Sequence, residues 1–244
     1  MTSKIKYLNL RDIINIISDV QNAVKLHITP DGIYLICIDI SNVMLLNMNI
    51  PKELFEYYNM CDQTINVNID KLKLFCDISY GYISIKQNVV DNTLTFKSGN
   101  YTYEANSMAD NLLKKEPNYP KLSFNAKTTI PVANLKKFLL KTKSISNNVK
   151  LTINNDKTTF EVIDTDTLSC EFESGMIDDE LEYNSPHSYY TIGYLDIIRK
   201  LKGNIDISMS TEHPCRIDFD IDNIKCGHIL LAPRIETNDN KSYS

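Results

Sequence analysis

Two sets of residues in this 244-residue chain have types and spacing that could do chemistry. The first is a pair of aspartates, Asp39 and Asp164, each in a strand-to-strand turn, Ile38-Asp39-Ile40-Ser41 and Ile163-Asp164-Thr165-Asp166. Paired carboxylates can share general acid and base work, so an enzyme acting on nucleic acid or phosphate is one reading of the chain. The same turn in two copies of one unit would place them in separate domains, where an aspartate closing its own turn is the expected role. The second set is a run of lysines, Lys136, Lys137, Lys141 and Lys143, with no acid among them. They lie opposite the stripe Leu135, Phe138, Leu139, Thr142 and Ile145, which recurs at i, i+3, i+4 and i+7. That is an amphipathic helix over 134–146, entered after Pro131, with a cationic outer face. Such a face is either plain solvated surface or a seat for a polyanion.

A repeat favours the second alternative. Asn9 laid on Asn134, a shift of 125, brings Leu10 onto Leu135, Arg11 onto Lys136, Ile13 onto Phe138 and Ile14 onto Leu139. Val24-Lys25-Leu26 then falls on Val149-Lys150-Leu151, and Ile38-Asp39 on Ile163-Asp164. At a shift of 123, Ile69 meets Ile192, Leu72 meets Leu195 and Phe96 meets Phe219. One unit occurs twice, so the fold must be read as a tandem.

Those residues require four helices, at 9–20, 70–79, 134–146 and 193–202. Strands are expected at 4–8, 24–29, 33–39, 43–49, 64–68, 82–86, 93–97 and 101–105 in the first copy. The second copy should hold strands at 124–130, 149–153, 158–163, 168–173, 205–210, 215–220 and 226–231. One helical turn is expected at 53–58, an acidic loop at 176–183 and a polar tail from 235. The class is α+β, two similar domains of antiparallel sheet with helices on one face. The boundaries are 1–107 for the first domain, 108–122 for a connecting linker and 123–244 for the second domain.

Charge is segregated on this framework. The four helices carry ten basic residues (Arg11, Lys71, Lys73, Lys136, Lys137, Lys141, Lys143, Arg199, Lys200, Lys202) against five acids (Asp12, Asp19, Asp70, Asp77, Asp196). The helices are therefore at +5 in a chain of net charge −5, which leaves −10 elsewhere. An acidic protein with basic helices suits a polyanion met on one face.

Composition narrows the classes further. At 43% hydrophobic and 23% charged, the chain has a globular profile, with length for two cores. No apolar run approaches the roughly 18 residues of a membrane span, and Met1-Thr-Ser-Lys opens no signal peptide, so an intracellular protein is expected. The six cysteines show no C-x-x-C and lie mostly in apolar runs, as buried thiols do. The four histidines lack metal spacing. With seven glycines and no phosphate-cradling motif, no cofactor or metal is implied.

Two stretches resemble the proliferating cell nuclear antigen family of DNA sliding clamps, above all its archaeal members. One is Asp31-Gly-Ile-Tyr-Leu-Ile-Cys-Ile-Asp-Ile-Ser-Asn-Val-Met-Leu-Leu46 with Pro51-Lys-Glu-Leu-Phe-Glu-Tyr57; the other is His228-Ile-Leu-Leu-Ala-Pro-Arg-Ile-Glu236, the family's L-A-P-[KR]-I-E ending. The resemblance implies three subunits in a closed ring, helices lining the hole, that encircles duplex DNA without reading its sequence and tethers polymerase. It matches hole-lining cations at Arg11, Lys137 and Lys200. Asp12, Ser18, Leu74, Asp77 and Leu140 stand at other positions that are basic in the family. Lys73, Lys136, Lys141, Lys143, Arg199 and Lys202 add cations on the same helices. The weak first-domain lining raises a mixed ring of related subunits as an alternative.

The resemblance also implies a groove for short hydrophobic peptides of polymerase, clamp loader, flap nuclease and ligase. Its positions are Ile38, Leu45, Leu112, Leu113, Tyr119, Pro120, Pro214, Leu230, Ala232 and Pro233. Head-to-tail contact is expected between the edges 101–107 and 167–174, through Tyr101, Tyr103, Thr167, Cys170 and Phe172. The place of work would be cytoplasm and nucleoid in an archaeon, otherwise a nucleus or viral replication site.

Overall fold

The computed structural model describes residues 1–163, 167–177 and 185–234. In the first copy the order is β1 (Thr2–Lys6), α1 (Tyr7–Ser18), β2 (Ala23–Thr29), β3 (Gly32–Ile38), β4 (Met44–Pro51) and β5 (Phe55–Asn59). It continues with β6 (Gln63–Asn68), α2 (Ile69–Ile78), β7 (Tyr82–Asn88), β8 (Thr93–Ser98) and β9 (Tyr101–Asn106). The second copy repeats that order: β10 (Ala126–Pro131), α3 (Val132–Thr142), β11 (Asn148–Ile153), β12 (Thr158–Ile163), β13 (Thr167–Phe172) and β14 (Met176–Ile177). It closes with β15 (His187–Thr191), α4 (Ile192–Leu195), β16 (Asn204–Met209), β17 (Cys215–Ile221) and β18 (Ile224–Leu231). The tandem α+β reading holds.

Contacts divide the chain into two units. The first is Met1–Lys121 with Lys200–Ile205 and Asp218–Leu230; the second is Leu122–Arg199 with Asp206–Ile217 and the chain from Leu231. In the first unit one sheet runs β5-β1-β7-β8-β9, and a second run of strands is β18-β4-β3-β2-β6. Alternation follows the pleat: Ile5, Ile83, Ile85, Leu94 and Phe96 are buried, while Lys4, Lys86 and Lys97 are exposed. The inward rows meet the stripe Leu10, Ile13, Ile14 and Ile17 of α1 and Ile69 and Leu72 of α2 around one apolar core. In the second unit β13-β12-β11-β15 form one sheet and β14-β10-β16-β17 lie side by side.

Local chemistry sets the boundaries. The Asn68 side chain accepts a hydrogen bond of 2.9 Å from the Lys71 N–H and so caps α2. α3 starts directly after Pro131, whose fixed φ suits a helix entry, and ends at Thr142. The Thr142 hydroxyl bonds back to the Phe138 carbonyl at 3.1 Å. Ile145, read as the last member of the stripe, lies beyond the helix and is exposed. The fourth helix keeps only one α turn and continues as a tighter 3₁₀ segment, Asp196–Lys200. The turn expected at 53–58 is a 3₁₀ turn at Lys52–Leu54 followed by β5, which pairs with β1 through a register shift at Lys4/Ile5. β14 and β15 lie where no strand was expected; His187-Ser-Tyr-Tyr-Thr191 alternates, but its polar members weaken the apolar signal. Residues 178–183 of the acidic loop, and the tail from 235, lie outside the described residues.

All six cysteines are free. Burial pushes the thiols of Cys37, Cys76, Cys215 and Cys226 up to about 12, so these side chains are inert packing groups. Cys61 and Cys170 are only half-buried.

Gly227 shows how closely strands approach in the first unit. Its φ is +155°, and a Cβ there would stand 2.4 Å from the Asn47 carbonyl oxygen and 2.9 Å from the Met48 Cα. Gly227→Ala is therefore expected to cost about 1–3 kcal/mol in urea unfolding, from backbone strain and displacement of β4. An unchanged midpoint would show that the strand accommodates the methyl group.

Candidate functional site

The cationic side chains are placed by burial of their opposite faces. In α3, Leu135, Phe138, Leu139 and Thr142 are buried, which turns Lys137 and Lys141 outward while Lys136 is half-buried. Among the described residues Lys137 and Lys141 make no ion pair. Lys143, just past the helix, pairs with Asp196, and Asp196 also receives Arg199 at 3.4 Å. All of these belong to the second unit.

The first unit holds Arg11, Lys73, Lys200 and Lys202. Arg11 donates to the Tyr7 hydroxyl at 3.1 Å and lies 3.8 Å from Asp12. Lys73 reaches the Ser18 hydroxyl at 3.3 Å. Lys200 donates to the Asn15 carbonyl at 2.9 Å and pairs with Asp19. Lys202 pairs with Asp12 at 2.5 Å. Asp12, Asp19 and Asp196 thus engage Arg11, Lys143, Arg199, Lys200 and Lys202. The spacing of these acids in the sequence does not reveal which cations they hold. Leu74 and Leu140 are exposed apolar side chains on α2 and α3.

The linker is tied down on the first unit at successive points. The Asn66 amide donates to the Met108 carbonyl at 2.8 Å and to the Asp110 carboxylate at 2.7 Å. Lys25 lies 3.4 Å from Asp110. The Asn66 amide and the Lys25 charge hold the Asp110 carboxyl below its ordinary value. Lys114 donates to the Asp39 carbonyl and to Asn42 Oδ1, both at 2.6 Å. His27 Nε2 and Glu116 Oε1 are 2.7 Å apart, and the Tyr119 ring meets His228 edge-on at 5.3 Å. Between linker and sheet lies a cavity of about 450 Å³ lined by Ala23, Ile36, Cys37, Ile38 and Leu113 together with charged linker residues.

Of the ten groove positions, Ile38, Leu45, Leu112, Leu113, Tyr119, Pro120 and Leu230 belong to the first unit, and Pro214, Ala232 and Pro233 to the second. Leu112 and Tyr119 are 64% and 41% exposed, whereas Leu45 and Leu230 are 6% and 4% exposed. The last two pack in the core and offer a ligand little surface. β9 and β13 are edge strands of their sheets. Tyr101 and Thr167 are exposed, Tyr103 and Cys170 half-buried. Phe172 is buried and meets the Phe160 ring at 6.0 Å, so it serves the core of its own unit.

Asp39 is a turn residue. Its carboxylate accepts from the N–H groups of Val43 at 2.8 Å, Met44 at 2.7 Å and Ser41 at 3.0 Å. A buried carboxylate so engaged is committed to shaping the β3–β4 turn. Asp164 lies outside the described residues.

Known proteins are similar to this chain in sequence and in fold. Residues 6–107 match the model of the proliferating cell nuclear antigen N-terminal domain. Proteins named DNA polymerase sliding clamp are similar over almost the full length. The one from Archaeoglobus fulgidus is 29% identical, with 97% of this chain and 98% of the relative covered. The one from Methanoregula boonei is 28% identical, with 93% and 96% covered. Among solved structures, A. fulgidus PCNA bound to the C-terminal region of FEN-1 superposes with a TM-score of 0.86 at 23% identity, covering 97% of this chain and 99% of that one. PCNA from Thermococcus kodakaraensis gives 0.83 at 16% identity, with 96% and 99% covered.

The linker contacts make a direct prediction. Lys114→Met removes two hydrogen bonds, each worth about 0.5–1.5 kcal/mol. Amide exchange across 110–116 should quicken by roughly tenfold while core strands keep their protection. The Asp110 anchor has a depressed folded-state pKa, so its contribution is full above the ordinary carboxylate value and is lost as pH falls through the depressed one. Unchanged linker exchange in the variant would show that Lys114 is not an anchor.

Proposed function

We propose that the chain is a DNA sliding clamp of the proliferating cell nuclear antigen family and closes head to tail with like subunits into a ring around duplex DNA. The observation that carries this reading is one unit present twice, with helices of surplus positive charge in a chain of net charge −5. A long polyanion of uniform charge is what such a repeated face suits, because lysine contacts to phosphates position without reading bases. The site residues toward DNA are Arg11, Lys73, Lys136, Lys137, Lys141, Lys143, Arg199, Lys200 and Lys202.

Ring closure uses the unpaired edges, β9 of one subunit against β13 of the next. Backbone pairing and the exposed members Tyr101 and Thr167 carry the contact, with Tyr103 and Cys170 beside them. The ring acts as a tether and not as an enzyme, holding polymerase and other replication and repair enzymes at DNA through short hydrophobic peptides. Support comes from the A. fulgidus relative, whose structure holds a C-terminal region of FEN-1. Here Leu112, Leu113, Tyr119 and Pro120 with Ile38 supply the apolar ground. A mixed ring is the second reading, favoured by the PCNA2–PCNA3 complex of Sulfolobus tokodaii, which superposes with a TM-score of 0.81 at 16% identity over 96% of this chain and 99% of that one. In either form the protein works inside the cell, where the replicating DNA is.

Light scattering of the purified chain should give about three times the 28.0 kDa subunit mass. A monomer at micromolar concentration would contradict the homotrimer. Changing Lys136, Lys137, Lys141 and Lys143 together to Glu should leave assembly intact and reduce polymerase stimulation, most at low salt. Equal stimulation across a salt series would remove α3 from the DNA face.

The peptide reading is tested at Tyr119. Leu45→Ala would open a core cavity at about 2–5 kcal/mol and confound binding with stability. Tyr119→Ala removes exposed aromatic surface instead. It should weaken a fluorescent Gln-aliphatic-aromatic-aromatic peptide by about tenfold, with melting temperature unchanged. Equal affinity for parent and variant would place the peptide elsewhere.

A further inference from the structure

Most of the cations assigned to DNA are already held by carboxylates. Lys202 and Arg11 share Asp12, whose side chain is only 14% exposed. Lys200 is fixed by two acceptors, the Asn15 carbonyl and Asp19. Asp196 takes both Lys143 and Arg199. We propose that Asp12, Asp19 and Asp196 are positioning residues that stand in for DNA phosphates, holding these cations aligned and exchanging them with the backbone as the clamp moves. The proposal rests on the clamp reading.

Stability alone gives a weak reason for these pairs. Ion pairs near the surface contribute little to stability, and the helices are already fixed by buried stripes. A carboxylate and a phosphate offer a lysine the same kind of charged oxygen acceptor at the same distance. Exchange of one for the other therefore costs the cation little reorganisation, which suits a protein that must shift from phosphate to phosphate without sticking.

The exchange has a thermodynamic signature. A solvated lysine that binds a phosphate releases a condensed counterion, and each such contact adds about 0.9 to the slope of log K against log salt. A lysine taken from an aspartate also releases that contact, but the freed aspartate draws a cation from solution. The two nearly cancel. The cations held by aspartates thus add little to affinity or to salt dependence, and the exposed Lys137 and Lys141 supply most of both.

The test is equilibrium binding of the full-length protein to a short fluorescent duplex over a salt series. Variants are Asp12→Asn/Asp19→Asn/Asp196→Asn, the same positions changed to Glu, Asp91→Asn as a control away from these helices, and the α3 charge reversal. The Asn triple should bind about tenfold tighter at low salt, with a slope steeper by roughly one for each acid lying against the DNA. The Glu triple, which keeps the carboxylates, and Asp91→Asn should follow the parent. Should the Asn triple fail to fold, Asp19→Asn alone must still steepen the slope. Parent-like slopes in the Asn variants, with α3 reversal still weakening binding, would overturn the proposal and leave the clamp reading standing. Indifference to α3 reversal as well would overturn both.

Discussion

Helix periodicity is the constraint from which the rest follows. A helix of 3.6 residues per turn cannot bury a stripe at i, i+3 and i+4 without presenting the residues between to solvent. Leu135, Phe138 and Leu139 are buried, so Lys137 and Lys141 must face out. Leu10, Ile13, Ile14 and Ile17 do the same for α1, where the outward set includes both Arg11 and Asp12. The sheets supply the matching apolar rows by their two-residue alternation. Burial therefore fixes where charge stands, and charge decides what the molecule meets.

The repeat and the stripes were legible because both are carried by apolar residues at fixed spacing. Helix ends were less so: α3 stops at Thr142, where a threonine turned back on its own helix gives way to a polar turn, and Ile145 continues the pattern without continuing the helix. β5 and β15 were hidden for a different reason. Phe-Glu-Tyr-Tyr-Asn and His-Ser-Tyr-Tyr-Thr carry few aliphatic residues, and pairing with neighbouring strands defines them more than local preference does. Of the groove positions, Leu45 and Leu230 could not be told from core residues until burial was seen. Phe172, read as interface, packs on Phe160 because the last residue of β13 turns inward.

Electrostatics was the least legible part. Summing residues along helices gives a basic surplus, but pairing depends on which side chains the fold brings together. Lys202 and Asp12 are 190 positions apart in sequence, and Lys200 and Asp19 are 181 apart. No spacing rule finds such pairs. Their consequence is a positive charge whose strength differs from its count: Lys137 and Lys141 of α3 are exposed, while Arg11, Lys200 and Lys202 of the first unit are engaged by aspartates.

The central claim, a ring held on DNA by topology, is tested most directly by retention on circular and linear duplexes. Protein loaded onto a nicked circle should remain bound through a high-salt wash that abolishes ordinary phosphate contacts, and should be lost when one cut linearises the DNA. Release from circle and line at the same rate, or equal retention on both, would contradict encirclement.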